Sequence, residues 1–349
     1  MHFARTEEQD TLAVVVRSLL DKRSDSAAVR AAVGSESGYD ESLWQALCEQ
    51  VGVAALPIAE EHDGFGASFI ETSLVLEELG RTLAPSPLLA TAIATAAVLL
   101  HAEPEHQATL LPRIATGEIA TLALDPLVLD APAADIVLRL QDGALQLLTG
   151  PAIEPVGALD QSIRFGRVTA NEAQAVGEVP DDRPVRDVAA ALTSALQVGA
   201  AQRGLDMTVA YTLERVQFGR PIGSFQALKH RMADMLVLVE ASRSASWGAT
   251  AAAAAYVTEP TVSNAAILRR RAAVARSYCS DALDHVASET VQLHGGIAIT
   301  WEHDSQLVFK RAHALSHLWE PAHVARASLL PFDEGGGRPV HGSTVARRV

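Results

Sequence analysis

Three groups of residues in this chain have the types and spacing to do chemistry. The first is the stretch Arg215-Val-Gln-Phe-Gly-Arg-Pro-Ile-Gly-Ser-Phe-Gln226, which sets a cation, aromatic rings and two amides within one tight corner. A guanidinium offers a forked donor to a diphosphate, a Phe ring offers a stacking face, and a Gln amide hydrogen-bonds in both directions. The same residues also suit a plain turn, because Gly219, Pro221 and Gly223 forbid a continuous helix. The second group is Gln292-Leu-His-Gly-Gly296, followed by Trp301-Glu-His-Asp304. Adjacent glycines expose backbone N–H groups and admit a ligand closely, and they equally cap a helix. His294 and His303 lack zinc-ligand spacing, so no metal site is expected. The third group is carboxylates. Asp281 recurs with His285, Ser288 and Gln292 at helical spacing, which makes one polar stripe. Asp281 and Gln292 stand roughly 16 Å apart along it. A solvated helix face would show the same pattern.

These groups need elements to carry them. Residues 1–118 read as helical. Thr6 is a plausible N-cap, and Leu12, Val15, Val16, Leu19 and Leu20 follow at helical spacing. Asp40 or Ser42 caps a second helix, Glu71 to Arg81 forms a third, and Leu88 to His101 is apolar enough to be buried all round. A short helix over His106 to Ala115 closes this lobe. From 119 to 184 the period changes to that of strands: Ile119 to Leu124, a hairpin across Ile136 to Leu148 at Asp142-Gly143, and Ser162 to Val168. From 185 to 330 long apolar-periodic runs return, and four helices with short connections imply a bundle. Ser224 is expected to cap the second of them and Thr300 the fourth, with Glu302 and Asp304 in its first turn. The glycine-rich stretch 331–349 reads as a loose tail. The expected fold is therefore mainly α with a small β-domain: a helical lobe, a middle β-domain and a C-terminal four-helix bundle.

Composition narrows the class. With 48% hydrophobic and 20% charged residues among 349, the chain can build large cores and is not disordered. A net charge of -14 argues against nucleic acid, though not against a small anion held at a local basic corner. Two cysteines, Cys48 and Cys279, point to a reducing compartment rather than a disulfide framework. The N-terminus does not read as a signal peptide, and the run Pro87 to Leu100 is shorter than the roughly 18 to 20 residues that span a membrane. A soluble cytoplasmic protein without a membrane partner is expected.

The long motifs carry a resemblance. Tyr211 to Met235, Val291 to Asp304, Leu56-Pro-Ile-Ala-Glu-Glu-His-Asp-Gly-Phe-Gly-Ala-Ser68 and Leu76-Glu-Glu-Leu-Gly-Arg81 together resemble the acyl-CoA dehydrogenase family of flavoproteins. The resemblance extends to about Ala325 and implies the same three-part fold. It implies FAD as cofactor, an acyl-CoA thioester as substrate, an electron-accepting flavoprotein as redox partner, and a dimer or tetramer, homomeric or heteromeric. Arg215 and Phe218 match positions that hold the diphosphate and adenosine part of FAD across a subunit interface. Ile222, Phe225 and Gln226 match further FAD-lining positions, and Gln292 and Gly296 match a pair that contacts a neighbour's FAD. The chemistry needs a carboxylate that takes the α-proton while the β-hydrogen leaves as hydride. By resemblance Asp281 is the first candidate, with Glu320 in Leu318-Trp-Glu-Pro321 ranked second because the usual Gly-Thr does not follow it.

The β-domain departs from the family pattern. Where relatives carry Thr-Glu-Pro and then Gly-Ser-Asp, this chain has Leu124-Asp-Pro126, and the domain is shortened. That resembles actinobacterial subunits, including those acting on steroid-CoA thioesters, that pair two unlike chains. Two main readings follow: an FAD-dependent dehydrogenase or a subunit of one, and a non-catalytic partner that completes another chain's FAD site. A flavoprotein oxidase is a third.

Overall fold

A computed structural model describes residues 5–330; the expected tail at 331–349 lies outside them. Thr6 opens helix α1 (Glu7–Arg23) with a capping box. Its hydroxyl accepts from the Gln9 N–H, and its own N–H donates to the Gln9 side chain at 3.0 Å. α2 (Ser26–Gly34), nine residues capped by the Asp25 carboxylate, adds to the expected elements. α3 (Glu41–Ala46) starts under Asp40, whose carboxylate accepts the Ser42 and Leu43 N–H groups. α4 (Phe69–Thr82), α5 (Leu88–His101) and α6 (Pro104–Ala115) complete the lobe. Every residue of α5 from Leu88 to Val98 is buried, as its uniform apolarity requires.

Next comes the β region: β1 (Ala120–Ala123), β2 (Val128–Leu129), β3 (Ile136–Gln141), β4 (Ala144–Thr149), β5 (Ala152–Val156), β6 (Phe165–Thr169) and β7 (Glu172–Glu178). One sheet runs in the order β1-β3-β4-β7, with β1 parallel to β3; the other runs β2-β6-β5. Asp142 and Gly143, at φ 54 and 76, make the tight turn between β3 and β4. The sequence does not announce β2, β5 or β7. β2 is two residues long, β5 contains Pro155, and β7 is mostly exposed, so none presents an apolar alternation.

The bundle comprises α7 (Arg183–Glu214), α8 (Gln226–Thr258), α9 (Val262–His294) and the shorter α10 (Ser305–His317), with α11 (Ala322–Ala327) packed on α9. Two expected helix starts are displaced. Ser224 does not cap α8: its hydroxyl donates back to Pro221 O at 2.6 Å, and Phe225 occupies the N-cap. Thr300 does not start the fourth helix either. It donates to Ile297 O, closing the 3-10 turn Gly295–Ile299, and α10 begins after Asp304. In both cases a backward bond to the i−3 carbonyl wins over a forward cap.

One apolar core runs through lobe, sheets and bundle. The lobe meets the bundle where α4 crosses α7 at backbone distance. A Cβ on Gly199 would stand 1.9 Å from Glu77 O, and one on Gly80 would stand 2.3 Å from Leu196 O. Gly199→Val is therefore expected to destabilise the fold by about 1–3 kcal/mol through overpacking. A urea midpoint that did not move would contradict this close crossing. Cys48 and Cys279 are free thiols, and burial pushes both up to about 12. Among the described residues no helix is long and apolar enough to cross a membrane.

Candidate functional site

α7 ends at Arg215, whose N–H closes the helix on Tyr211 O. Two short strands, β8 (Val216–Gln217) and β9 (Arg220–Pro221), then form a hairpin over Phe218 and Gly219. Both turn residues are left-handed, at φ 53 and 77. Glycine takes this conformation freely, whereas phenylalanine holds it at a cost of order 1–3 kcal/mol. The result is a phenyl ring that is 92% exposed. It meets Phe225 edge-on at 6.1 Å, and the Arg220 guanidinium lies 4.1 Å from the Phe225 ring centroid. Arg215 is exposed and makes no ion pair among the described residues. Ile222 and Phe225 are half-buried beneath this corner, and Gln226 is exposed at the start of α8.

The other sequence-predicted binding residues arrive at the same end of the bundle. α7 and α9 run side by side in the same direction, with Gln197 bonded to Ser280, Thr208 to Thr290, and the Tyr211 ring stacked on His294 at 4.5 Å. The corner after α7 therefore neighbours the end of α9, where Gln292, Gly295 and Gly296 are exposed. A Cβ on either glycine would meet nothing within 4 Å, so the backbone there is open to a ligand. Sequence reasoning weighed His294 and His303 only as metal ligands. Here they form a ring cluster: His294 stacks on Tyr211, and the His303 ring is tilted against His294 with centroids 4.7 Å apart. Burial lowers the His294 pKa, which favours the neutral ring. Asp304 anchors the following loop. Burial alone would raise its pKa, but bonds from Ser26 and Arg30 and the charge of Arg203 hold it below the usual range.

The two carboxylate candidates part company. Asp281, His285, Ser288 and Gln292 do share a face of α9, and all four are exposed. The Asp281 side chain is 58% exposed and pairs with Arg326. It lines an open groove with Asp234, Val237, Leu238, Tyr278 and His285. Glu320 lies in a different cleft, of ≈ 240 Å³, among Arg183, Arg186, Asp187 and Ala190 of α7, Ala272, Ala273 and Arg276 of α9, Trp319, and Asp125. Arg183 stands 3.5 Å from the Glu320 carboxylate and 2.9 Å from Asp187. Burial pushes the Asp187 carboxyl up to about 6, against the pull of Arg183. The atypical Leu124-Asp-Pro126 segment closes one side of the cleft: Arg186 donates to Leu124 O at 2.7 Å and pairs with Asp125 at 3.3 Å.

Cleft and corner lie toward opposite ends of the bundle. The Trp319 indole bonds Thr193 at 2.9 Å, and Arg215 follows Thr193 on the same helix. That puts the corner about 33 Å along α7 from the Glu320 turn.

The profile of the acyl-CoA dehydrogenase N-terminal domain matches residues 6–118, and that of the C-terminal domain matches residues 187–318. The acyl-CoA dehydrogenase IpdE2 of Mycobacterium tuberculosis is 47% identical over 92% of this chain and 96% of its own length. IpdE2 of Mycolicibacterium smegmatis is 44% identical over 90% and 96%. Among solved structures, a chain of the ChsE4-ChsE5 complex from Mycobacterium tuberculosis superposes with a TM-score of 0.82 at 25% identity, covering 94% of this chain and 98% of its own. Two domain profiles matched in order, and relatives at this identity over nearly full length, support one conclusion: the chain belongs to the acyl-CoA dehydrogenase family of oxidoreductases.

Proposed function

We propose that the chain takes part in FAD-dependent α,β-dehydrogenation of an acyl-CoA thioester, as a subunit of an assembly that shares its cofactor between chains. The observation that carries the proposal is the division of labour along α7: a carboxylate in a cleft near one end, an outward-facing basic and aromatic corner at the other. FAD, when bound, supplies the acceptor for the β-hydrogen as hydride, and an electron-accepting flavoprotein would reoxidise it. The donor set suits the nucleotide half of that cofactor. Arg215 offers a fork with no ion pair among the described residues, Phe218 and Phe225 offer ring faces, Ile222 supports them, and Gln226, Gln292 and the open backbone at Gly296 supply hydrogen bonds. About 33 Å between corner and cleft favours a corner that serves a neighbouring chain's cofactor. Glu320 is the base in this reading and takes the α-proton. Asp281, exposed and paired with Arg326, becomes the second choice.

One observation favours a partner-only role. The cleft beside Glu320, at ≈ 240 Å³, falls below the roughly 300–1,000 Å³ of ordinary ligand pockets, and Arg186 straps its side shut. The visible spectrum separates the two readings. The chain is purified alone and with co-expressed candidate partners, and each preparation is mixed with octanoyl-, isobutyryl- and cholanoyl-CoA. Flavin in the chain alone that bleaches with a thioester excludes the partner-only role. Arg215→Ala is expected to weaken FAD retention by about 1.5–3 kcal/mol, the worth of one charge-assisted contact. Unchanged flavin occupancy after dilution would remove Arg215 from the cofactor site.

A further inference from the structure

The turn that carries Glu320 is gripped by a buried arginine that plays no part in the chemistry above. Arg276 lies on α9 and is 2% exposed. Its Nε donates to the Glu320 carbonyl at 2.7 Å. Its Nη1 donates to Leu315 O at 2.8 Å and to Ser280 Oγ at 2.9 Å, and its Nη2 to Ser316 O at 2.8 Å. Burial lowers its pKa to about 10, so it stays charged at neutral pH. It makes no ion pair among the described residues; its fork is satisfied by backbone carbonyls and a hydroxyl.

Capping the last carbonyls of α10 would need only a cation near that helix end. Arg276 does more, because the same planar fork also holds the peptide of Glu320 itself. A second brace comes from α7: Gln197 donates to Ser280 Oγ at 3.0 Å and to Leu315 O at 3.3 Å, and Thr193 accepts from the Trp319 indole. Trp319, next to Glu320, sits at φ 61, a conformation a tryptophan keeps only when its surroundings over-determine it.

We propose that Arg276 is a positioning residue: by clamping the Glu320 carbonyl to the end of α10 it sets where the Glu320 carboxylate stands relative to the α-carbon of a bound thioester. The proposal rests on the reading of Glu320 as the base. A misplacement of about 1 Å can cost about 100-fold in rate.

The test uses the flavin-loaded assembly and whichever of octanoyl-, isobutyryl- or cholanoyl-CoA bleaches the wild type fastest. Arg276→Lys keeps the charge and loses the fork; Arg276→Gln loses both; Glu320→Gln tests the base itself. Arg276→Lys is expected to hold flavin and to keep KM within about twofold, while kcat per bound flavin falls about 10- to 100-fold. Arg276→Gln should fall at least as far. A merely structural arginine would lower the thermal midpoint and leave kcat per bound flavin unchanged. That outcome, with Glu320→Gln inactive, overturns the clamp and spares the base. Full turnover by Glu320→Gln overturns the base, and the clamp with it. If Arg276→Gln does not fold, Arg276→Lys decides, and failure of both to fold also counts against a positioning role.

Discussion

With Glu320 as the proposed base, Glu320→Gln is expected to lower kcat by about 100- to 10,000-fold and to leave the bound flavin spectrum intact; this is the range that a positioned general base supplies. The substitution is isosteric and removes the proton acceptor. It spares the fold, because the turn is held through the Glu320 carbonyl, which accepts from Arg276, and through the Trp319 indole on Thr193. Arg183 loses one carboxylate neighbour but keeps Asp187 at 2.9 Å. Asp281→Asn, in contrast, is expected to leave turnover within about twofold, since an exposed carboxylate paired with Arg326 has little to do with a proton in the cleft. Stopped-flow bleaching of the two variants side by side decides the matter. Wild-type bleaching in Glu320→Gln together with loss in Asp281→Asn would restore the order that the sequence alone suggests.

Asp160→Asn is expected to cost about 3–5 kcal/mol of stability, because it removes the carboxylate paired with a buried guanidinium. Arg311 and Asp160 are 1% and 2% exposed and 2.8 Å apart. Arg311 also donates to Ser162 Oγ at 2.7 Å and to Leu83 O at 3.3 Å. The pair thus joins α10 to the loop before β6 and to the end of α4, so three parts of the fold depend on one interior charge. Removing both charges together, as Asp160→Asn with Arg311→Met, is expected to cost less than the sum of the single changes, because no unpaired charge is left behind. Urea unfolding of the two single variants and the double variant gives the cycle. Exact additivity, or a single loss below about 1 kcal/mol, would mean that water or another group already compensates Arg311.

Much of the fold is legible in the sequence where the signal is local. The capping box at Thr6, the uniform apolarity of α5, the Asp142-Gly143 turn and the break between α7 and α8 all follow from neighbouring residue types. Strands without an apolar alternation, such as β7, are invisible because their pairing partner, not their composition, makes them strands. The displaced starts of α8 and α10 show the same limit on a smaller scale: Ser224 and Thr300 are good caps by type, and each bonds backward instead.

By itself, the sequence determined the order of lobe, sheets and bundle, and placed a cation, phenyl rings and glycines at the two helix ends that could grip a nucleotide. Within each helix end the residues are sequence neighbours, so chain connectivity groups them; bringing the two ends together takes the packing of α7 against α9. Only the tertiary structure shows where the two carboxylates stand. The half-buried Glu320 side chain meets Arg183 from far upstream and its carbonyl is held by Arg276 of α9, while Asp281 stands more exposed on another face of that helix. Burial depends on what the whole chain packs against a residue, and a residue's own neighbours along the chain do not reveal it.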